Sequence, residues 1–302
     1  MNNLKSPFPW YGGKSRVADV VWKRFGDTKN YVEPFAGSLA ILLCRPSAAK
    51  IETVNDINCY LANFWRAVSC DPVAVAKYAD YPVNETDLHA RHAWLVDQKQ
   101  FIENMAADPD FYDAKIAGWW VWGISAWIGH GWCDVNAKRI RRQKPNLSDK
   151  GGGVHRHSIQ EEHGSIEKYL IKLQARLRRV RVCCGDWNRI VTPAVTYGHG
   201  VTSVFLDPPY SHKNRDTCYT NDSFTVAIDV HQYAIENGDN PLLRIAVCGY
   251  EGEFTPPPSW ETFKWKACGG YSNQAKNKKN ENRGLERIWF SPHCLKQPDV
   301  FS

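Results

Sequence analysis

Ten cysteines occur in this chain, but no two of them form a Cys-x-x-Cys pair. That excludes the usual zinc modules. The one adjacent pair, Cys183-Cys184, is an awkward disulfide, so free thiols in a reducing cytoplasm are expected. His155-Arg156-His157 with His163 is equally well a polar, Gly-flanked loop, and no metal is expected. The N-terminus lacks an apolar signal-peptide core. The most apolar stretch, Ala117 to Trp132, falls short of the ~20 residues a bilayer span needs, so it reads as a buried helix. No internal repeat is present. No complete G-x-G-x-x-G occurs, and Gly13-Lys14-Ser15 ends like a phosphate loop but has Phe8 where that motif begins with Gly.

What remains is a composition of 302 residues, 43% hydrophobic and 23% charged, with an unusual 13 Trp. Apart from the tryptophan, that is ordinary for a globular protein. The length allows one catalytic domain and a smaller inserted one. The net charge is +6, and it is concentrated. Lys138 to Arg181 holds 13 Lys+Arg against 4 Asp+Glu, an excess of +9 that leaves the remainder at −3. Such a stretch suits a surface that neutralises phosphates, and equally a solvated helix face. Lys138, Arg139, Arg141 and Arg142 are its densest part. A second basic loop, Asn273 to Arg283, carries Lys276, Lys278 and Lys279.

The most informative four residues are Asp207-Pro208-Pro209-Tyr210. They follow Ser203-Val204-Phe205-Leu206, which reads as a buried strand. Two prolines stop that strand, since neither donates a backbone hydrogen bond. A carboxylate, the Pro208 carbonyl and an aromatic ring thus share a stiff turn at a strand's C-terminal end, where open α/β sheets bind ligands. The carboxylate and carbonyl can accept the two hydrogens of an exocyclic amino group, and the ring can stack on a planar base. A tight loop with Asp207 capping a helix and Tyr210 in the core fits the same residues.

Elsewhere the chain alternates strands and helices. A Gly-rich loop, Pro9 to Lys14, leads into a helix from Val17 to Phe25. Tyr31-Val32-Glu33-Pro34 predicts a strand running into Phe35-Ala36-Gly37-Ser38 and a helix, Leu39 to Leu43. Ile51 to Val54 predicts a second strand, ending in Asn55-Asp56-Ile57-Asn58 before a helix from Cys59 to Val68. Asp56 lies about 20 residues after Gly37, where nucleotide-binding folds place an acid on ribose hydroxyls. A plain α/β core accounts for that spacing as well. Helical periodicity dominates from Asp71 to Arg179, and its five closely spaced tryptophans, Trp119 to Trp132, read as packing. Strands resume at Val180 to Cys183, before Gly185-Asp186-Trp187, and again at Arg244 to Cys248. Trp260 to Ala267 and Glu286 to Phe290 form an expected final strand pair, and a helix is expected to start near Ser223. The fold class is α/β, Rossmann-like, with a mainly helical insertion.

These motifs, in this order, resemble the Dam-like, alpha-class DNA adenine-N6 methyltransferases. Five of them carry the resemblance: the Pro9–Lys14 loop, Val32 to Ser38, Asn55 to Asn58, Gly185 to Trp187, and Asp207 to Tyr210. Tyr219 to Phe224 also looks like the family's stretch after the catalytic loop. The resemblance implies a Rossmann-like methyltransferase fold that uses S-adenosylmethionine and double-stranded DNA, with no metal. It implies a catalytic domain of residues 1–70 and 180–302 and a target-recognition domain of residues 71–179. Trp10, Lys14, Glu33, Phe35, Gly37, Asp56, Asp186 and Asp207 would hold the cofactor. Asp207, Pro208, Pro209 and Tyr210 would act on a flipped-out adenine, and the two basic clusters would meet DNA. The family's commoner loop has two glycines, whereas Leu39 stands at the second position here. The same chemistry on RNA or a protein amide, and a silent DNA-binding protein of the same fold, are the rival expectations. Cytosine-N4 enzymes usually show Ser at the Asp207 position.

Overall fold

A computed structural model describes residues 4–10, 12–47, 50–98, 100–108, 110–128, 131–134, 144–146, 154, 163–210, 225–266 and 284–296. Among them, seven strands form one sheet in the order β3-β2-β1-β4-β5-β7-β6. The strands are β1 (Asn30–Glu33), β2 (Ile51–Asn55), β3 (Val180–Cys183), β4 (Thr202–Leu206), β5 (Leu243–Tyr250), β6 (Glu261–Lys264) and β7 (Glu286–Phe290). Neighbours from β3 to β5 run parallel. β7 is antiparallel to both β5 and β6. The α/β, Rossmann-like class expected from the alternating pattern is the one observed.

Both faces of the sheet are covered, and the central strands β1 and β4 are buried throughout. Alternation in β4 sorts the two sides: Phe205 joins one core, and Val204 and Leu206 the other. α1 (Ala18–Phe25), α2 (Ala40–Leu43) and α3 (Cys59–Cys70) contribute to the first core. α9 (Thr225–Asn237) covers the second through Val230 and Ala234.

Among the described residues, the helices between α3 and β3 are α4 (Pro72–Ala79), α5 (Glu85–Asp97), α6 (Gln100–Ala107), α7 (Ala114–Ala126) and α8 (Ile166–Leu177). Their starts are written locally. Asn58 accepts from the Tyr60 and Leu61 N–H groups to cap α3, and Asp71 caps α4 with Pro72 in its first turn. α7 and α8 both pack on α3, and Trp120 meets Phe8 edge-on at 5.2 Å. On α8, Arg176 donates to both carboxylate oxygens of Glu52 on β2, at 2.7 and 2.9 Å. These helices therefore share the core of the sheet's first face.

The expected helix Ala117 to Trp132 stops earlier, at Ala126. Trp127 is extended, and the chain folds back to lay the Trp132 ring on Gly123, so close that a Cβ there would lie 1.8 Å from it. The tryptophans pack, as expected: Trp120, Trp122 and Trp127 are buried. Their polar edges are used inside, with Trp122 donating to the Tyr81 carbonyl and Trp132 to that of Trp120. β6 is shorter than the expected Trp260–Ala267.

α4 and α7 cross at Gly118, where a Cβ would lie 2.4 Å from Tyr78 Cβ and 2.7 Å from the Val75 carbonyl. Gly118→Ala is expected to lower stability by about 1–3 kcal/mol in urea denaturation, although alanine is the better helix former.

Candidate functional site

The chain steps from β1 through β2 to β3 on one side of the sheet, and from β4 to β5 on the other. β1 and β4 are thus the switch point, the crevice where such sheets bind ligands. An open cleft lies there. It is lined by Trp10, Lys14, Glu33, Phe35, Asn55, Asp56, Asp186, Trp187, Asp207 and Pro209, with Gly12, Gly13 and Gly185 among its backbone walls. Residues from five separated motifs therefore meet in one place.

Each wall has a local cause. Gly37 has φ +47, a left-handed conformation, and a Cβ on it would lie 2.4 Å from the Trp10 ring. Its N–H donates to Asp56 Oδ2 at 3.0 Å, while Asp56 Oδ1 accepts from the Asn58 N–H at 3.0 Å. Burial raises the Asp56 carboxyl from its ordinary value, against these backbone donors. Leu39 also adopts the left-handed region, at φ 59. The chain thus keeps the conformation that the missing glycine would favour, at a cost of about 1–2 kcal/mol. The Leu39 side chain is fully buried in the core. Asn55 ties two loops together, donating to the Pro34 carbonyl at 3.0 Å and that of Gly185 at 2.9 Å. Its buried Oδ1 has no hydrogen-bond partner among the described residues. Asp186 is exposed and caps the short helix Trp187–Ile190 through the Asn188 N–H. Phe35 and Trp187 stack at 6.0 Å.

The other end of the cleft is charged. The Lys14 ammonium lies 2.9 Å from Asp207 Oδ1 and donates to the Gly12 carbonyl at 2.7 Å. Burial opposes its charge, yet Asp207 and Glu286 together hold it above its ordinary value. It also sits over the rings of Tyr210, at 5.3 Å, and Trp265, at 5.9 Å. At that range the ring faces attract a cation. Pro208 is buried and Pro209 forms part of the cleft wall. Tyr210 turns inward: its hydroxyl is 3.0 Å from Glu286 and 3.2 Å from Asp207, and its ring packs on Tyr250.

Sequence reasoning missed Glu286 as a site residue. It lies on β7, 79 positions after Asp207, and nothing local marks it as more than a strand residue. The expected DNA-contacting residues Lys138, Arg139, Arg141, Arg142, Lys276, Lys278 and Lys279 lie outside the described residues, as do His155, His157 and Tyr219 to Phe224. Among the described residues no cluster suits a metal, and no helix is long and apolar enough to cross a membrane.

Residues 10–108 match the family model described as D12 class N6 adenine-specific DNA methyltransferase. The match supports a Dam-like adenine-N6 methyltransferase. No curated protein matches the chain. The matched span contains Trp10, Lys14, Glu33, Phe35, Gly37 and Asp56, and ends before Asp186 and Asp207. The parallel pairing of β1 with β4 brings Asp207 to it. The family match supports an enzyme that methylates adenine in DNA.

Glu33 is a buried carboxylate at the cleft wall that accepts from the Tyr31 hydroxyl at 2.9 Å. Burial pushes its pKa up to about 8, from an ordinary 4.5. The folded protein then keeps a proton that the unfolded chain releases. The stability this proton contributes is full below pH about 4.5 and is lost as pH rises towards about 8. Denaturation at pH 5 and pH 8 is expected to show a steeper fall for wild type than for Glu33→Gln.

Proposed function

We propose that this chain transfers the methyl group of S-adenosylmethionine to the N6 amino group of a flipped-out adenine in double-stranded DNA. The carrying observation is that the family-matched segment and the Asp207–Tyr210 turn converge on one cleft at the switch point. The residues present fit the cofactor. Asn55 Oδ1 offers an unused acceptor at the cleft wall. Asp56 is placed to take ribose hydroxyls, Phe35 and Trp187 to flank a base, and Asp186 to meet its polar edge. When bound, the cofactor supplies an electrophilic methyl group on a sulfonium.

Adenine's amino nitrogen is a weak nucleophile, because its lone pair is delocalised into the ring. It is also out of reach in a duplex, so the base must leave the stack at a cost of a few kcal/mol. Asp207 and the Pro208 carbonyl accept the amino hydrogens and hold the nitrogen in place. Lys14 holds the Asp207 carboxylate in place through their ion pair. Most of the acceleration then comes from orientation and fixed charges. Residues 71–179 are the target-recognition part, with Arg139, Arg141 and Arg142 on phosphates. The Tyr210 ring flanks the base while its hydroxyl keeps its inward contacts.

Incubation of unmethylated DNA with methyl-labelled S-adenosylmethionine is expected to place label in N6-methyladenine. Asp207→Ala is expected to reduce that transfer roughly 10²–10³-fold with an unchanged far-ultraviolet dichroism spectrum. Wild-type activity in Asp207→Ala contradicts the reading, as does label found in RNA or protein alone.

A further inference from the structure

We propose that Glu286 is a positioning residue for methyl transfer, drawing the Tyr210 hydroxyl proton to itself so that Asp207 keeps its accepting strength for the adenine amino group. This rests on the role of Asp207 given above. Glu286 opens β7 beside the Tyr210 hydroxyl and is only 5% exposed. Its backbone is fixed on both sides, opposite Tyr250 on β5 and by the Trp265 N–H, which donates to its carbonyl at 3.3 Å. The Tyr210 hydroxyl stands between two carboxylates, 3.0 Å from Glu286 and 3.2 Å from Asp207. It has one proton and can donate to one of them at a time.

The charge on Glu286 decides which. Ionised, Glu286 accepts from Tyr210, and Asp207 Oδ1 has only Lys14 as its partner. Protonated, Glu286 becomes a donor to the Tyr210 oxygen, and the Tyr210 proton turns to Asp207 Oδ1. That oxygen then accepts from both Lys14 and Tyr210, which makes the Asp207 carboxylate a weaker acceptor for the substrate. One ammonium, Lys14, faces both carboxylates, so removing the charge of Glu286 also changes the field on Asp207.

The groups facing Glu286 come from every neighbouring element. Burial raises its carboxyl most, Asp207 and Glu253 add to this, and Lys14 and the Tyr210 hydrogen bond oppose it. Cys248 on β5 faces Lys14. Arg287, the next residue, is engaged instead with Glu251 at 2.5 Å. The net direction is upward, so protonation of Glu286 limits activity on the acid side, above the ordinary carboxylate range.

The test is steady-state methyl transfer to DNA across pH for wild type, Glu286→Gln and Tyr210→Phe. Glu286→Gln keeps the shape but has no charge to titrate. It is expected to lower kcat roughly 10- to 100-fold, leave KM for S-adenosylmethionine within about twofold, and lose the acid limb of the kcat profile. Tyr210→Phe is expected to lose the same limb, and the double variant to fall no further than the worse single one. An acid limb retained in either single variant overturns the proposal, and Tyr210→Phe decides the matter even if Glu286→Gln fails to fold. Wild type that transfers no methyl to DNA overturns the functional reading and this proposal together. Wild-type transfer with an unaltered limb in the variants overturns this proposal alone.

Discussion

The ion pair of Lys14 with Asp207 joins the two halves of the site. Lys14 comes from the loop before α1, and Asp207 from the turn after β4. Both are held near the end of the switch-point crevice, and Lys14 is almost wholly buried. A buried ammonium is costly unless it is paired and hydrogen-bonded. Here Asp207, Glu286 and the Gly12 carbonyl offset that cost, and the rings of Tyr210 and Trp265 take its remaining face. The same arrangement that makes the lysine tolerable in the core fixes the carboxylate at the cleft. Folding and site geometry therefore depend on one set of contacts.

Distance from this pair sorts the rest of the cleft. Near it the groups are charged and inward-facing. Further along β1 and β2 the walls are backbone donors, an amide and two aromatic rings, as at Gly37, Asn55, Phe35 and Trp187. One end suits work on an amino group and the other suits holding a nucleoside. The helices between β2 and β3 support this from behind. Trp10 leans on Trp120 of α7 at 6.2 Å, and α8 ties β2 in place through Arg176 and Glu52. Residues assigned from sequence to recognition thus also steady the cofactor side.

Much of this is legible in the sequence because its causes are local. An apolar run closed by two prolines gives β4 and its turn. Asn58 and Asp71 sit where helix starts need an acceptor. Gly37 stands where the backbone must turn left-handed against Trp10. Features with distant causes are not legible. Leu39 holds a left-handed conformation only because the core encloses its side chain, which no propensity announces. α7 ends early because Trp132 returns to Gly123, a contact between residues nine apart. Glu286 joins the site because β7 inserts antiparallel between β5 and β6, a choice of topology and not of local pattern. Tyr210 was expected beside a base or in the core, and the structure places its hydroxyl inward.

The central claim is that the switch-point cleft holds the methyl donor. Calorimetric titration of S-adenosylmethionine into wild type and Asp56→Ala tests it most directly. The account predicts one site per chain in wild type, weakened at least tenfold in Asp56→Ala, a loss of about 1.4 kcal/mol. Equal affinity in the two proteins, with both folded, would contradict it.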